Sequence, residues 1–138
     1  MLAWGGWAVA TPQGGTVSAG GASITQGAGQ MTITQTTPHV AINWQSFGIG
    51  AGQSVQFVQP GRSAVALNRV TGADPSAILG SLSANGQVFL VNPSGIVFGR
   101  GAQVNVAGMV ASSLDLLDAQ RSLFATRQSL AQVRLAQQ

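Results

Sequence analysis

Asn85-Gly86-Gln87-Val88-Phe89-Leu90-Val91-Asn92-Pro93-Ser94-Gly95-Ile96-Val97-Phe98-Gly99-Arg100-Gly101-Ala102-Gln103-Val104-Asn105-Val106 reads as strand, turn, strand, turn, strand with almost no slack between them. Gln87–Val91 is rich in β-branched and aromatic residues, too short for a helix and bounded by turn residues. Asn92-Pro93-Ser94-Gly95 has the chemistry of a type I turn. Asn can bond the backbone two residues on, Pro presets φ at the second position, and Gly frees the fourth. Ile96–Phe98 resumes the strand, Gly99-Arg100-Gly101 turns again, and Ala102–Val106 is a third strand. Short strands joined by corners rather than hairpin loops predict a chain that winds in one rotational sense, as a β-solenoid does.

Composition agrees. A chain of 138 residues suits one domain with a real core. Only 7% of its residues are charged, against about 25% in ordinary domains, and it contains no Lys, Glu, Tyr or Cys. Glycines number 19, and Ser, Thr, Gln and Asn are abundant. With 45% apolar residues in β-type runs the chain is not disordered. Small polar side chains on short strands, with Gly at the corners, fit rows stacked from coil to coil. The net charge of +3 comes from six arginines scattered along the chain, with few aromatics between them, so nucleic acid is not an expected partner. Without Cys there is no disulfide framework.

Met1–Ala10 is apolar and ends Ala8-Val9-Ala10, small residues that suit a signal-peptidase site. It reads either as the tail of a signal peptide or as an N-terminal cap with Trp4 and Trp7 packed on the open end of the solenoid. No run is long enough for a membrane-spanning helix. Strands are expected at Thr16–Ser18, Ala22–Gln26, Gln30–Gln35, His39–Trp44, Ser54–Val58, Ala64–Val70 and Gly108–Ser113. Ile24, Ile33 and Ile42 recur every nine residues, a weak repeat that suggests successive strands facing one core. His39, the single histidine, has no Cys, Glu or nearby Asp with which to build a metal site. Gly50-Ala51-Gly52 is not a phosphate loop, because no helix and no Lys follow it. In Asp74-Pro75-Ser76-Ala77-Ile78-Leu79-Gly80-Ser81-Leu82, Asp at an N-cap, Pro behind it and a closing Gly predict one short helical turn.

The character changes at Leu114. Residues 115–138 contain no Gly and no Pro, and Leu116, Leu123 and Leu130 repeat at seven with Leu117, Phe124 and Ala131 beside them. This predicts an amphipathic helix of about six turns capped by Ser112 or Ser113. Leu116-Leu117-Asp118-Ala119-Gln120-Arg121-Ser122-Leu123-Phe124 and Leu130 also resemble a C-terminal helix of TolC-like efflux channels. A foreign tail joined near 114–117 and a coincidental amphipathic helix are both open readings.

Three ordered blocks resemble a known family. Val88–Gly99 followed by Gly101–Val106 resembles the signature block of the filamentous-haemagglutinin N-terminal domain, the two-partner secretion (TPS) domain. Ala41-Ile42-Asn43-Trp44-Gln45-Ser46-Phe47-Gly48-Ile49-Gly50 and Ala66-Leu67-Asn68-Arg69-Val70-Thr71-Gly72 resemble two further blocks in the right order. The family's turn commonly reads Asn-Pro-Asn-Gly, and here Ser94 stands in place of the second Asn. The resemblance implies an all-β fold, a right-handed parallel β-helix over residues 11–114. It implies a secretion signal fronting a large exoprotein, an adhesin, haemagglutinin or contact-dependent toxin. The POTRA domains of a TpsB-type outer-membrane transporter would read it in the periplasm of a Gram-negative bacterium, and the chain would fold outside. Asn92, Pro93, Ser94, Gly95 and Ile96 are then the candidate turn and secretion motif, with Trp44, Asn68 and Arg69 as candidate partner contacts.

Two other classes of function compete with this reading. A β-helix lyase or hydrolase needs paired carboxylates or a bound metal, and Asp74 is the one acid before Leu114, so no enzyme and no cofactor is expected. An adhesin binding glycans on host or bacterial surfaces could use Trp44, Phe47 and the Asn/Gln rows.

Overall fold

The computed structural model describes residues 11–113. It is all-β, with twelve strands and no helix among them. The chain opens with β1 (Thr16–Ala19) and β2 (Ala22–Gly27) and continues through β3 (Gln30–Gln35), β4 (His39–Trp44), β5 (Ser54–Val58) and β6 (Val65–Val70). The second half holds β7 (Ser76–Ile78), β8 (Ser81–Ala84), β9 (Gln87–Val91), β10 (Ile96–Phe98), β11 (Gln103–Asn105) and β12 (Gly108–Ser112). Three sheets form, in the orders β2-β3-β5-β8-β11, β1-β4-β6-β9-β12 and β7-β10.

Every pairing from β3 onward is parallel and joins one turn of the chain to the next. The result is a β-solenoid of about four turns, as the short strands and corner residues predict. Register stacks like on like. Met31, Val55, Leu82 and Val104 form one column, and Val40, Ala66, Val88 and Met109 another. The apolar columns of the two large sheets meet in the middle, where Ile33, Ile42, Ile49, Ile78, Leu82, Val88 and Leu90 are fully buried. Alternation along each strand sends every second side chain into this core, so a slip of one residue would expose a whole column.

The first turn is closed by chain reversal. β1 runs antiparallel to β4 and β2 antiparallel to β3, so the first two strands cover the edges that the solenoid would otherwise present. The cap is therefore built from Thr16–Gly27. Met1–Ala10 lies outside the described residues, as do the helix expected over 115–138 and the junction placed at 114–117.

The sequence reading is corrected at one place. Asp74–Leu82 forms no helical turn. Its backbone enters β7 and β8, Ser76 N–H donates to Gly95 O at 2.9 Å, and Ile78 is fully buried. Asp, Pro and Gly at helix-capping spacing are a local preference, and pairing with β10 and burial of Ile78 outweigh it. The nine-residue spacing of Ile24, Ile33 and Ile42 does set three successive strands, β2, β3 and β4, against one core. Ile24 and Ile33 face each other across the antiparallel cap pair, while Ile42 lies in the other large sheet.

Gly80 shows how tightly the corners are drawn. A Cβ there would stand 2.3 Å from Gln53 O and 2.4 Å from Gly50 O, so only glycine lets the corner between β7 and β8 close on the turn before it.

Candidate functional site

The turn at Asn92 is a hub. Its side chain is fully buried and makes three hydrogen bonds. Nδ2 donates to Asp74 O at 3.0 Å and to Ser76 Oγ at 2.9 Å, and Oδ1 accepts from Ser94 N–H at 2.9 Å. Its backbone N–H donates to Ser112 O, and Gly95 N–H closes the turn on Asn92 O. One side chain thus joins its own turn to the start of β7, one coil earlier. Pro93 and Ser94 are exposed. Because Ser94 contributes its backbone N–H, serine in place of asparagine leaves this bond intact. Gly95 has φ +114°, and Ile96 pairs with Ser76 in register and packs against the core.

The residues singled out as partner contacts separate. Trp44 and Asn68 are 1% and 0% exposed and bind each other, Trp44 Nε1–H donating to Asn68 Oδ1 at 2.8 Å. Asn68 Nδ2 donates to Ala66 O and Phe89 O, so the whole amide is occupied. Trp44 also packs edge-on against buried Phe47, centroids 5.5 Å apart. Neither Trp44 nor Asn68 meets a partner of the folded domain, and Trp44 and Phe47 offer no stacking surface to a glycan. Trp44 fills the core column that its parity on β4 assigns it, and Phe47, just past the end of that strand, packs into the same core. Arg69 is different: it lies on the outward side of β6, half-buried, between Asn43 and Val91. His39 is exposed at the start of β4.

A second polar seam, missed residue by residue in the sequence, runs along the corner between the two large sheets. Gln59 Nε2 donates to Gln35 Oε1 at 3.1 Å and to Gln87 O at 3.2 Å, while its Oε1 accepts from Gly86 N–H at 2.8 Å. Asn85 pairs with the Gln59 backbone in both directions, at 2.7 Å each way. Gln35 Nε2 reaches Thr37 O and Val65 O. Gln35 and Gln59 are 24 residues apart, as are Trp44 and Asn68. The first offset matches the register of β3 on β5, where Gln30 pairs with Ser54, but Trp44 pairs in register with Val70 and Ser54 with Ser81, so no single offset marks the coils in the sequence. Among the described residues every buried side-chain N or O has a hydrogen-bond partner. Such seams cost little while fully paired and much when one member is lost, so they hold the coils in register.

Among the described residues no three His, Asp, Glu or Cys come together, and Asp74 is exposed on a turn. What the fold supplies is a capped start, a register held by buried amides, and three sheets that each end in the last turn at β10, β11 or β12. It is a scaffold for adding coils.

The comparisons give that scaffold its family. The model of the TPS secretion domain matches residues 8–138, nearly the whole chain. The chain is 48% identical over 105 residues to a heme/hemopexin-binding protein of Haemophilus influenzae (strain ATCC 51907 / DSM 11121 / KW20 / Rd), covering 76% of this chain and 12% of that relative. A second heme/hemopexin-binding protein of Haemophilus influenzae is 48% identical over 89 residues, 64% of this chain and 10% of the relative. Among solved structures, the HMW1 secretion domain from Haemophilus influenzae superposes with a TM-score of 0.73 at 38% identity, over 76% of this chain and 28% of that one. The chain belongs to the TPS secretion domain family, and it is the secretion domain of a two-partner secretion exoprotein. It spans about an eighth of the length of the first relative. Because the family match runs through residue 138, the likeness of the tail to an efflux channel is not borne out. Exoproteins of this family leave Gram-negative bacteria across the outer membrane. The described residues contain no helix long and apolar enough to cross a membrane.

Proposed function

We propose that the POTRA domains of a TpsB-type outer-membrane transporter read this domain while its strands are still unpaired, and that the solenoid forms after passage. The observation that carries the reading is where the backbone goes. In the folded domain β3 to β9 are joined coil to coil, and the cap closes the first turn. Their donors and acceptors are spent, so a partner that recognises strands by β-augmentation meets them only in the extended chain. The family and the solved HMW1 secretion domain support the assignment to a secretion pathway.

Composition suits the passage. Residues 11–113 carry three arginines and one acid, and the chain has no cysteine to crosslink inside a pore. Once outside, a solenoid propagates from neighbour to neighbour, and a capped first turn gives that propagation a defined start.

The test is export of a fusion. Residues 1–138, placed behind a complete signal peptide and joined to an unstructured reporter, are expected to carry the reporter outside only in cells with the cognate transporter. Export without the transporter, or retention of the reporter in its presence, would contradict the assignment.

A further inference from the structure

Asn85-Gly86 is the one Asn-Gly pair in the chain. In an open chain such a pair is chemically unstable, because glycine has no Cβ to hinder attack by its own backbone nitrogen on the preceding side-chain carbonyl. Gly86 N bonds to Asn85 Cγ, the Cγ–Nδ2 bond breaks, and the side-chain nitrogen leaves as ammonia with the proton that Gly86 N gives up. Water then opens the resulting succinimide at either carbonyl, leaving aspartate or isoaspartate. The sequence of steps consumes a water, releases an ammonia and needs no other reactant.

Folding ties down both reacting groups. Asn85 follows β8 and meets Gln59, which follows β5 on the coil before. Asn85 Nδ2, the leaving nitrogen, donates to Gln59 O, and Asn85 Oδ1 accepts from Gln59 N–H, both at 2.7 Å. Gly86, the attacking residue, is buried, and its N–H donates to Gln59 Oε1 at 2.8 Å. The seam also imposes the labile pair. A Cβ at Gly86 would stand 2.8 Å from Gly61 O and from Gln59 Cδ, so the corner requires glycine. An amide both donates to and accepts from the Gln59 backbone through separate atoms, which a carboxylate cannot do.

We propose that Asn85-Gly86 is a site of spontaneous deamidation, reactive while the chain is unfolded and closed when the corner between β8 and β9 docks on Gln59. Conversion and folding then exclude each other. Aspartate would set an oxygen where Nδ2 stands, 2.7 Å from Gln59 O, with no proton to share. Isoaspartate would lengthen the main chain between β8 and β9, whose registers on β5 and β6 leave no slack. The unfolded chain therefore has a limited lifetime before this coil is lost to it. The chemistry is independent of what reads the chain. Its bearing on export rests on passage in the extended form, which the fusion assay tests separately.

Mass spectrometry of the full chain tests the site. Purified protein is held in mildly alkaline buffer, folded and in guanidinium side by side, and then digested with trypsin. Cleavage after Arg69 and Arg100 leaves Asn85 in the peptide 70–100, where Asn92 cannot react because Pro93 has no N–H. In guanidinium, Asn85 is expected to convert faster than Asn43, Asn68 or Asn105. The folded chain is expected to lag by at least about tenfold, since it reacts only when the corner opens. Equal rates in the two states, or faster conversion at another asparagine, would overturn the proposal. In a second arm the chain stays in guanidinium until converted and intact forms are comparable in amount. It is then diluted to refold and separated by gel filtration. Compact chains are expected to hold intact Asn85, and expanded or aggregated chains the aspartate and isoaspartate forms. Converted residues shared equally between the fractions would show that the seam does not need the amide, and would sink the idea that conversion bars folding.

Discussion

Trp44→Ala is expected to come close to unfolding the domain. The ring is 1% exposed, packs edge-on against Phe47, and donates its N–H to Asn68 Oδ1 inside the core. Removing a buried tryptophan costs about 3–5 kcal/mol, and an orphaned buried amide oxygen adds about 1–3 kcal/mol. Set against the roughly 5–15 kcal/mol that holds a whole domain together, that leaves little. The drop in Tm should be about 15 °C or more by thermal melting of the β signal. Trp44→Phe keeps most of the packing and loses only the donor, so it should fall by about a third of that amount. An alanine variant that melts with the parent would mean that Trp44 is a surface ring after all, and would reopen the glycan reading.

The second large effect belongs to the turn. In Asn92→Ala, Ser94 N–H and Asp74 O can turn to water, but buried Ser76 Oγ cannot, and the coil-to-coil tie is gone. A loss of about 2–4 kcal/mol follows. A single corner bond exchanged with water would cost only about 1 kcal/mol, less than a strained Gly95→Val. The structure raises Asn92 to at least the level of Gly95. At φ +114° a valine is strained by about 1–3 kcal/mol, but its Cβ would meet nothing closer than Pro75 Cβ at 3.9 Å, so no clash is added. Gly95→Ala should therefore cost nearly as much as Gly95→Val. Yield of exported, protease-resistant protein should fall in all three variants. Wild-type export and melting in Asn92→Ala would remove this turn from the account.

Much of the fold was legible because a solenoid writes itself locally. Strand and corner alternate every few residues, and Gln87–Val91 and Ile96–Phe98 stand where β propensity and turn chemistry place them. The failures are non-local. Asp74, Pro75 and Gly80 satisfy a helix-cap rule, and only the presence of β10 and the buried position of Ile78 show that the rule loses. Trp44 and Asn68 looked available because a tryptophan beside polar neighbours suits an interface as well as a core. Their parity with Ile42 and Ala66 decides, and parity needs the register. Composition predicts stacked polar rows in general but not the Gln35–Gln59 seam in particular, since its 24-residue offset survives for only one step.

Affinity for the transporter's periplasmic domains, measured for wild type, Asn92→Ala and Trp44→Ala at equal concentration, tests the central claim most directly. If the extended chain is the form that is read, apparent affinity scales with the unfolded fraction. It should rise in the order wild type, Asn92→Ala, Trp44→Ala, with about a hundredfold or more between the ends. Binding should change less than about threefold between roughly 0.05 and 0.5 M salt, because residues 11–113 carry only three arginines and one acid. Tightest binding by the folded wild type, or a steep loss with salt, would contradict the account and place recognition on a charged surface of the finished solenoid.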